Sequence, residues 1–540
     1  MLTTLLLIIS ILDAHIVQGL KFPVQIRTTT TSLSQQSSSS RLGRHVRRTG
    51  VTAQTVNTSN GSIPIANTQN AEYISNITLG GVTIPVMLDT GSSDLWVSLP
   101  VPNARDSGKT AKLEYAVGEA SGHINFAPLT FDNYTVPDQA FLQVTNTSSF
   151  TTDISKLGFN GLLGLGPNSG SVIRKGIKSD NNSGDSLTSR IFQQNRTTSN
   201  FISFLLDRQG DPADPFTGQI TISEYVTGFE NIAQAPKLPI LKVPGLTDAD
   251  QHWQILTDKD TGVIGPDGQP IQMKSIVPKA PDGQYVAVLD SGFTLPQVPR
   301  KMSDAIYGRV PGAAYNEKMG IWTIPCDALI NLSLNFGGQN YPIHPLDVSS
   351  SDFALTDANG KTVCAGTFQP ITSAFSLLGE YDIILGMGFL RNTYTLIDYG
   401  NFVDDTSNDL DAPFVQLLSV TDVTKAHADF VKVRLNGVDT SGDAAHALLP
   451  ASQGLSSPES AAEKKQHLEG DILRRWPYIL LGCLVLVASL VGLVIWKCCC
   501  GRWRAKRQAK KERKELGDLP LSATKSPYRS LHDPRSVDRF

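Results

Sequence analysis

A repeated element constrains this chain more than any other feature. Residues 86–98 read VMLDTGSSDLWVS and residues 287–299 read AVLDSGFTLPQVP. In both, an apolar run typical of a buried strand delivers an Asp, then a hydroxyl residue, then Gly. Gly91 and Gly292 permit a close backbone approach that a Cβ would block. Each stretch is answered later by an apolar-apolar-Gly segment, NGLLGLGP at 160–167 and DIILGMGFL at 382–390. Such a segment can lie as a strand beside the Asp loop, its Gly leaving room. An element repeated in the same order implies two similar halves related by a pseudo-two-fold axis.

The pattern Asp-Ser/Thr-Gly alone carries little weight. Asp106-Ser107-Gly108 and Asp260-Thr261-Gly262 also have it, but polar or charged residues precede them. Both read as exposed turns. Only Asp89 and Asp290 come off apolar strands. A two-fold axis between those loops would bring the two carboxyls face to face. Like charges that close cannot both ionise freely, so the pair shares one proton. The ionised member can take a proton from water while the protonated member polarises a carbonyl, which is general acid–base hydrolysis without a covalent intermediate.

Around this repeat the texture is β-rich. Short apolar stretches are broken by Gly, Asn and Pro, and AEYISNITLGGVTIPVMLDT alternates about a Gly80-Gly81 turn. Hydrophobic residues make up 40% of the 540, enough for large cores. The reading is a first lobe over residues 71–228, a second over 229–434, and a stalk linker over 435–475, where Ser, Ala, Gly and Asp replace periodic apolar positions. Residues 1–19 read as a signal peptide, with a signal anchor as the alternative for the short run LLLIISIL. Residues 20–48, rich in Ser and Thr, read as a disordered pro-segment, with Arg47-Arg48 a possible processing site.

Residues 476–496, WPYILLGCLVLVASLVGLVIW, hold no charge and are long enough to cross a bilayer. Trp476, Tyr478 and Trp496 sit near the ends, as interfacial aromatics do. The 497–540 tail carries 13 Lys/Arg against 5 Asp/Glu, although the whole chain is net −3. The positive-inside rule makes that tail cytoplasmic, giving a single-pass type I topology with the body outside the cell or in an acidic endomembrane lumen, at the cell surface or in a vacuole. An acidic body disfavours nucleic acid as a partner. The chain continuing past the span disfavours a GPI anchor.

Only Cys326 and Cys364 lie in the expected ectodomain, and a lone pair in an oxidising compartment is expected to bond. Its loop would contribute about 3–4 kcal/mol in a chain-entropy picture. Cys498, Cys499 and Cys500 follow the span, either as palmitoylation sites or as free thiols. Sequons at Asn57, Asn60, Asn76, Asn133, Asn146, Asn181, Asn195 and Asn331 all fall on the expected outer side. The nine His residues show no zinc spacing, and neither GxSxG nor a nucleotide-binding glycine pattern is present.

These residues have a family likeness. Residues 71–430 resemble a pepsin-like (family A1) aspartic protease, and with the anchor a fungal-type member; VMLDTGSSDLWV is the most specific match. The resemblance implies a mainly β, bilobal fold, with one transmembrane helix added at the C-terminal end. It implies an aspartic endopeptidase acting on extended polypeptides in acid, without metal or organic cofactor, as a monomer. It makes Asp89 and Asp290 the catalytic pair, supported by Thr90, Gly91, Ser92, Ser291, Gly292 and Thr294, with Ser92 bonded to Asp89. LEYAVGEASGHI at 113–124 resembles the flap hairpin, with Tyr115, Val117 and Gly118 over the substrate and Trp96 packed behind the flap. HWQIL at 252–256 resembles the strand entering the second lobe, and IPC and VCAG resemble the segments joined by that lobe's disulfide.

One position departs from the pattern. The family usually has Ser or Thr where this chain has Phe293, and Phe donates no hydrogen bond. Asp290 is therefore a copy of Asp89 with asymmetric support. The competing readings are a catalytically silent, receptor-like peptide binder and a structural cell-surface glycoprotein.

Overall fold

A computed structural model describes residues 63–515, apart from 65, 69–71, 116–117, 147–153, 178–181, 195–198, 209–217, 243–250, 278–279, 372–380, 401–411 and 460. The signal peptide, the pro-segment with Arg47-Arg48, Val117, the end of the basic tail, and Asn57, Asn60, Asn181 and Asn195 lie outside the described residues, as does the side chain of Asn146. The side chains of Asn76, Asn133 and Asn331 are exposed.

The chain is mostly β, and its two halves repeat one strand arrangement. In the first, Val82–Asp89 runs parallel to Gly161–Gly164, with Asp89 opposite Gly164. Leu95–Val97 pairs antiparallel on the other side of Gly161–Gly164. In the second, Val286–Leu289 runs parallel to Ile383–Leu385, whose other neighbour is antiparallel Gln297–Val298. Each Asp thus sits where an apolar strand ends; Val286–Leu289 is buried throughout, whereas Val82–Asp89 buries Ile84, Val86 and Leu88 and leaves the residues between them partly exposed. The glycines expected to leave room do so. A Cβ on Gly164 would lie 2.4 Å from Asp94 N, and one on Gly386 would lie 2.5 Å from Phe293 O.

A six-stranded sheet joins the halves. Phe201–Leu205 pairs antiparallel with Thr393–Asp398, residue 201 opposite 398. Sequentially distant strands meet here because both are apolar on the faces that become buried. Beside this junction Asp347 accepts from Arg391 Nε at 2.8 Å, Arg208 Nε at 3.0 Å and Asn392 Nδ2 at 2.9 Å. Burial would raise its pKa, but Arg208 and Arg391 hold the carboxyl well below the usual range. The group stays ionised, and the bridge it makes between the halves survives in acid.

The second half also carries the expected disulfide. Cys326 and Cys364 are bonded, on neighbouring antiparallel segments. Asp260 lies in an exposed turn as expected, whereas Asp106 lies at an exposed bulge inside the Arg105–Tyr115 strand.

The stalk expected over 435–475 is corrected by the packing. After the helix Val423–Arg434, Leu448 packs against the main core. Leu449 N–H donates to Arg309 O at 2.8 Å, and Arg309 Nε donates back to Leu449 O at 2.7 Å. Leu455 N–H donates to Gly308 O at 2.8 Å, and buried Ser457 donates to Asp304 at 2.6 Å. Apart from Leu448, this strap is held by hydrogen bonds to the helix Arg300–Tyr307 and the turn after it, so it leaves no hydrophobic period to read. A 55-residue helix, Ala461–Glu515, follows; within it Leu480–Lys514 holds a window of mean hydropathy 2.3, long and apolar enough to cross a membrane.

Candidate active site

The two Asp loops meet through a reciprocal set of four hydrogen bonds. Thr90 Oγ1 donates to Leu289 O at 3.0 Å and accepts from Ser291 N–H at 2.9 Å. Ser291 Oγ donates to Leu88 O at 2.8 Å and accepts from Thr90 N–H at 3.0 Å. Each hydroxyl both gives and receives across the axis, and Thr90 and Ser291 are buried. At about 1 kcal/mol per net hydrogen bond, and more if one partner were left buried alone, this lattice fixes the loops to each other.

That lattice brings the carboxyls together. Gly91 N–H donates to Asp89 Oδ1 and Gly292 N–H to Asp290 Oδ1, both at 2.8 Å. A Cβ on Gly91 would lie 2.3 Å from Asp290 Cγ, and one on Gly292 would lie 2.6 Å from Asp89 Oδ1. Each loop's glycine faces the other loop's carboxyl, so no other residue type fits. Burial and the negative charge of Asp89 raise Asp290 well above the ordinary carboxyl range, and a hydrogen bond to Asp89 adds to the shift. The pair therefore keeps one proton between its two carboxyls, and the raised affinity of Asp290 favours that carboxyl as its holder.

The surroundings of the two carboxyls differ. Ser92 Oγ donates to Asp89 Oδ2 at 2.5 Å. At the matching place, Phe293 turns its ring into an apolar cluster with Val277, Val286, Val288, Tyr381 and Ile384. The backbone is similar at both, shifted by one residue in the strand that answers it. Ser92 O accepts from Gly166 N–H at 2.7 Å, and Phe293 O accepts from Met387 N–H at 2.9 Å. Thr294 is half-buried beside Phe293. The hydrogen bonds resolved at Asp290 come from Gly292 and Asp89.

A hairpin stands beside the pair. Arg105–Tyr115 pairs with Gly118–Phe131, Tyr115 opposite Gly118. Trp96 is fully buried in the cluster against which Tyr115 packs. Burial and the charges of Asp89 and Asp94 push the Tyr115 phenol well above its usual range, and the neighbouring Trp96 and Ser92 side chains oppose the shift. A chain of contacts thus runs from Tyr115 through Ser92 to Asp89.

Sequence reasoning missed the support under the first loop. Leu165 N–H donates to Asp89 O at 2.7 Å. Leu165 O in turn accepts from Trp253 Nε1 at 2.9 Å and Tyr399 Oη at 2.6 Å. Trp253 and Tyr399 stack edge to face, with centroids 4.7 Å apart. Their separation in sequence hides them, and the only signal was a large aromatic inside an otherwise ordinary apolar run.

The sequence model of the family "Eukaryotic aspartyl protease" matches residues 102–403, over half of the chain. The chain belongs to the eukaryotic aspartyl protease family. It is similar to vacuolar protease A of Neurospora crassa, 24% identical over 363 residues, covering 63% of this chain and 79% of the relative. Cathepsin D of Dictyostelium discoideum is 27% identical over 368 residues, covering 63% and 84%. A protein named "Probable aspartic-type endopeptidase CTSD" in Trichophyton verrucosum is 23% identical over 346 residues, covering 61% of this chain but only 59% of its own length. Among the described residues, no group of His, Cys, Asp or Glu is arranged to hold a metal.

Proposed function

We propose that this aspartyl-protease family member is an active aspartic endopeptidase that hydrolyses extended polypeptides in acid, with Asp89 and Asp290 as the catalytic pair. The observation that carries the reading is the mutual contact of the two carboxyls, with the proton held on Asp290. Asp89 accepts from Ser92 and Gly91, the role of a carboxylate. It removes a proton from a water held between the pair as that water attacks the scissile carbonyl carbon. Asp290 gives its hydrogen to the carbonyl oxygen. The resulting gem-diol returns one proton to Asp290 as the C–N bond breaks, and Asp89 passes the proton it took from water to the leaving nitrogen. The hairpin that carries Tyr115 and Gly118 lies over an extended substrate whose main chain pairs with the cleft.

Both carboxyls come from one chain, so the reaction needs a single copy. The apolar helix is read as a type I membrane anchor, 476–496, with a cytoplasmic tail. The relatives' names, vacuolar protease A and cathepsin D, fit an acidic lumen for the body.

The test is cleavage of a peptide library at pH 4 by the full-length chain in detergent. The expected result is turnover that falls at least about 1,000-fold in Asp290→Asn, the loss of one acid–base partner. Peptide binding without turnover would mean a silent receptor instead.

A further inference from the structure

His252 stands just before Trp253, the residue that braces Leu165, and it reaches the catalytic loops from the second half. Its Nδ1 lies 2.9 Å from Gly91 O. A carbonyl oxygen only accepts, so Nδ1 carries the hydrogen. That requires the Nδ1–H tautomer in the neutral ring, and the imidazolium keeps the same donor. The bond therefore does not depend on the charge of the ring.

The position of the acceptor gives this bond its consequence. Gly91 lies between the carboxyls: its N–H donates to Asp89, and its Cα faces Asp290 too closely for any side chain. Glycine is also the residue with the widest backbone freedom. A hydrogen bond on the Gly91 carbonyl holds the peptide that leads directly into Ser92, whose hydroxyl bonds Asp89. On its other side the His252 ring meets Tyr381 edge to face at 90°, with centroids 6.0 Å apart. Tyr381 belongs to the apolar cluster that receives Phe293. The residue that lacks the supporting hydroxyl in the second loop is thus connected, through Tyr381 and His252, to the glycine of the first.

We propose that His252 is a positioning residue: its imidazole pins the Gly91 carbonyl and so sets the Asp89 loop, with Ser92, at working distance from Asp290. It acts through Gly91 rather than on substrate. The inference rests on the proposed endopeptidase reading, and small misplacements of reacting groups are costly enough for kinetics to report them.

The test compares wild type, His252→Phe and His252→Asn in the full-length chain, with a peptide substrate at pH 4. His252→Phe keeps a ring but removes the donor, and kcat is expected to fall about tenfold with KM within about twofold. His252→Asn places an amide N–H near the former Nδ1 and is expected to recover kcat to within about threefold of wild type. A Phe variant with wild-type kcat, a change confined to KM, or an Asn variant no better than Phe would each overturn the proposal. Imidazole 15N shifts of the wild-type protein give a second reading that needs no turnover. A protonated Nδ1 with an unprotonated Nε2 at neutral pH, or both protonated, supports the bond; a bare Nδ1 overturns it. A chain that cleaves nothing but shows the protonated Nδ1 fails the endopeptidase reading while leaving the tether in place.

Discussion

The loops at Asp89 and Asp290 are nearly the same in backbone and unlike in side chain. Each follows an apolar strand, each lies beside a parallel strand that leads to a Gly, and each offers a carbonyl, from Ser92 or Phe293, to a backbone N–H across the bend. Thr90 and Ser291 reciprocate bond for bond. Symmetry ends one atom beyond the backbone. Asp89 receives a hydroxyl from Ser92, whereas Phe293 gives Asp290 an apolar neighbour. The difference teaches that loop geometry and proton placement are separately encoded. Glycines and the hydroxyl lattice set the first, while the residue after each Gly biases the second.

Removing the donor from the better-supported loop should have the larger effect. Ser92→Ala deletes the 2.5 Å contact to Asp89 and the middle of the chain that reaches Tyr115. A charge-assisted bond contributes about 1.5–3 kcal/mol, so kcat/KM should fall roughly 10- to 100-fold in steady-state assays at pH 4. An unchanged rate would break the comparison, because Ser92 would then be no different from Phe293.

Restoring a donor to the other loop should do less. Phe293→Thr offers a hydroxyl to the ionised form of Asp290 and favours its loss of a proton. The alkaline limb of the pH–rate profile should move toward acid by about one pH unit. The same change removes a ring from an apolar cluster, so thermal stability should drop, by at most about 3 kcal/mol for a half-buried Phe. A profile that stays in place would mean that the apolar neighbour does not set the proton on Asp290.

Much of this site was legible before any coordinates. The repeated Asp loops, their glycines and the Cys326–Cys364 pair follow from short local patterns, and the family resemblance added the Ser92 bond and the hairpin with Tyr115. Those patterns are legible because chemistry dictates residue type there: only Gly fits against a facing carboxyl, and a short hydroxyl side chain gives and receives through one oxygen. Less legible was anything made by long-range packing. Trp253, Tyr399 and His252 converge beneath or beside the first loop from the second half, and no spacing announces it. The strap through Ser457 escaped for a different reason. Small polar residues that dock by backbone hydrogen bonds look, in sequence, like residues that dock nowhere.

The account depends on Asp290 keeping its proton because Asp89 lies against it in a buried site. A carboxyl whose folded pKa is raised binds its proton more tightly in the native state. Its contribution to stability is therefore present at low pH and is lost as pH rises from the unfolded value through the folded one. The 13C carboxyl shift of Asp290, followed from pH 2 to 8 in the wild type and in Asp89→Asn, reads this directly. The predicted result is titration well above the usual carboxylate range in the wild type, moving downward once the charge at position 89 is gone. Titration of Asp290 near pH 4 in both proteins would contradict it.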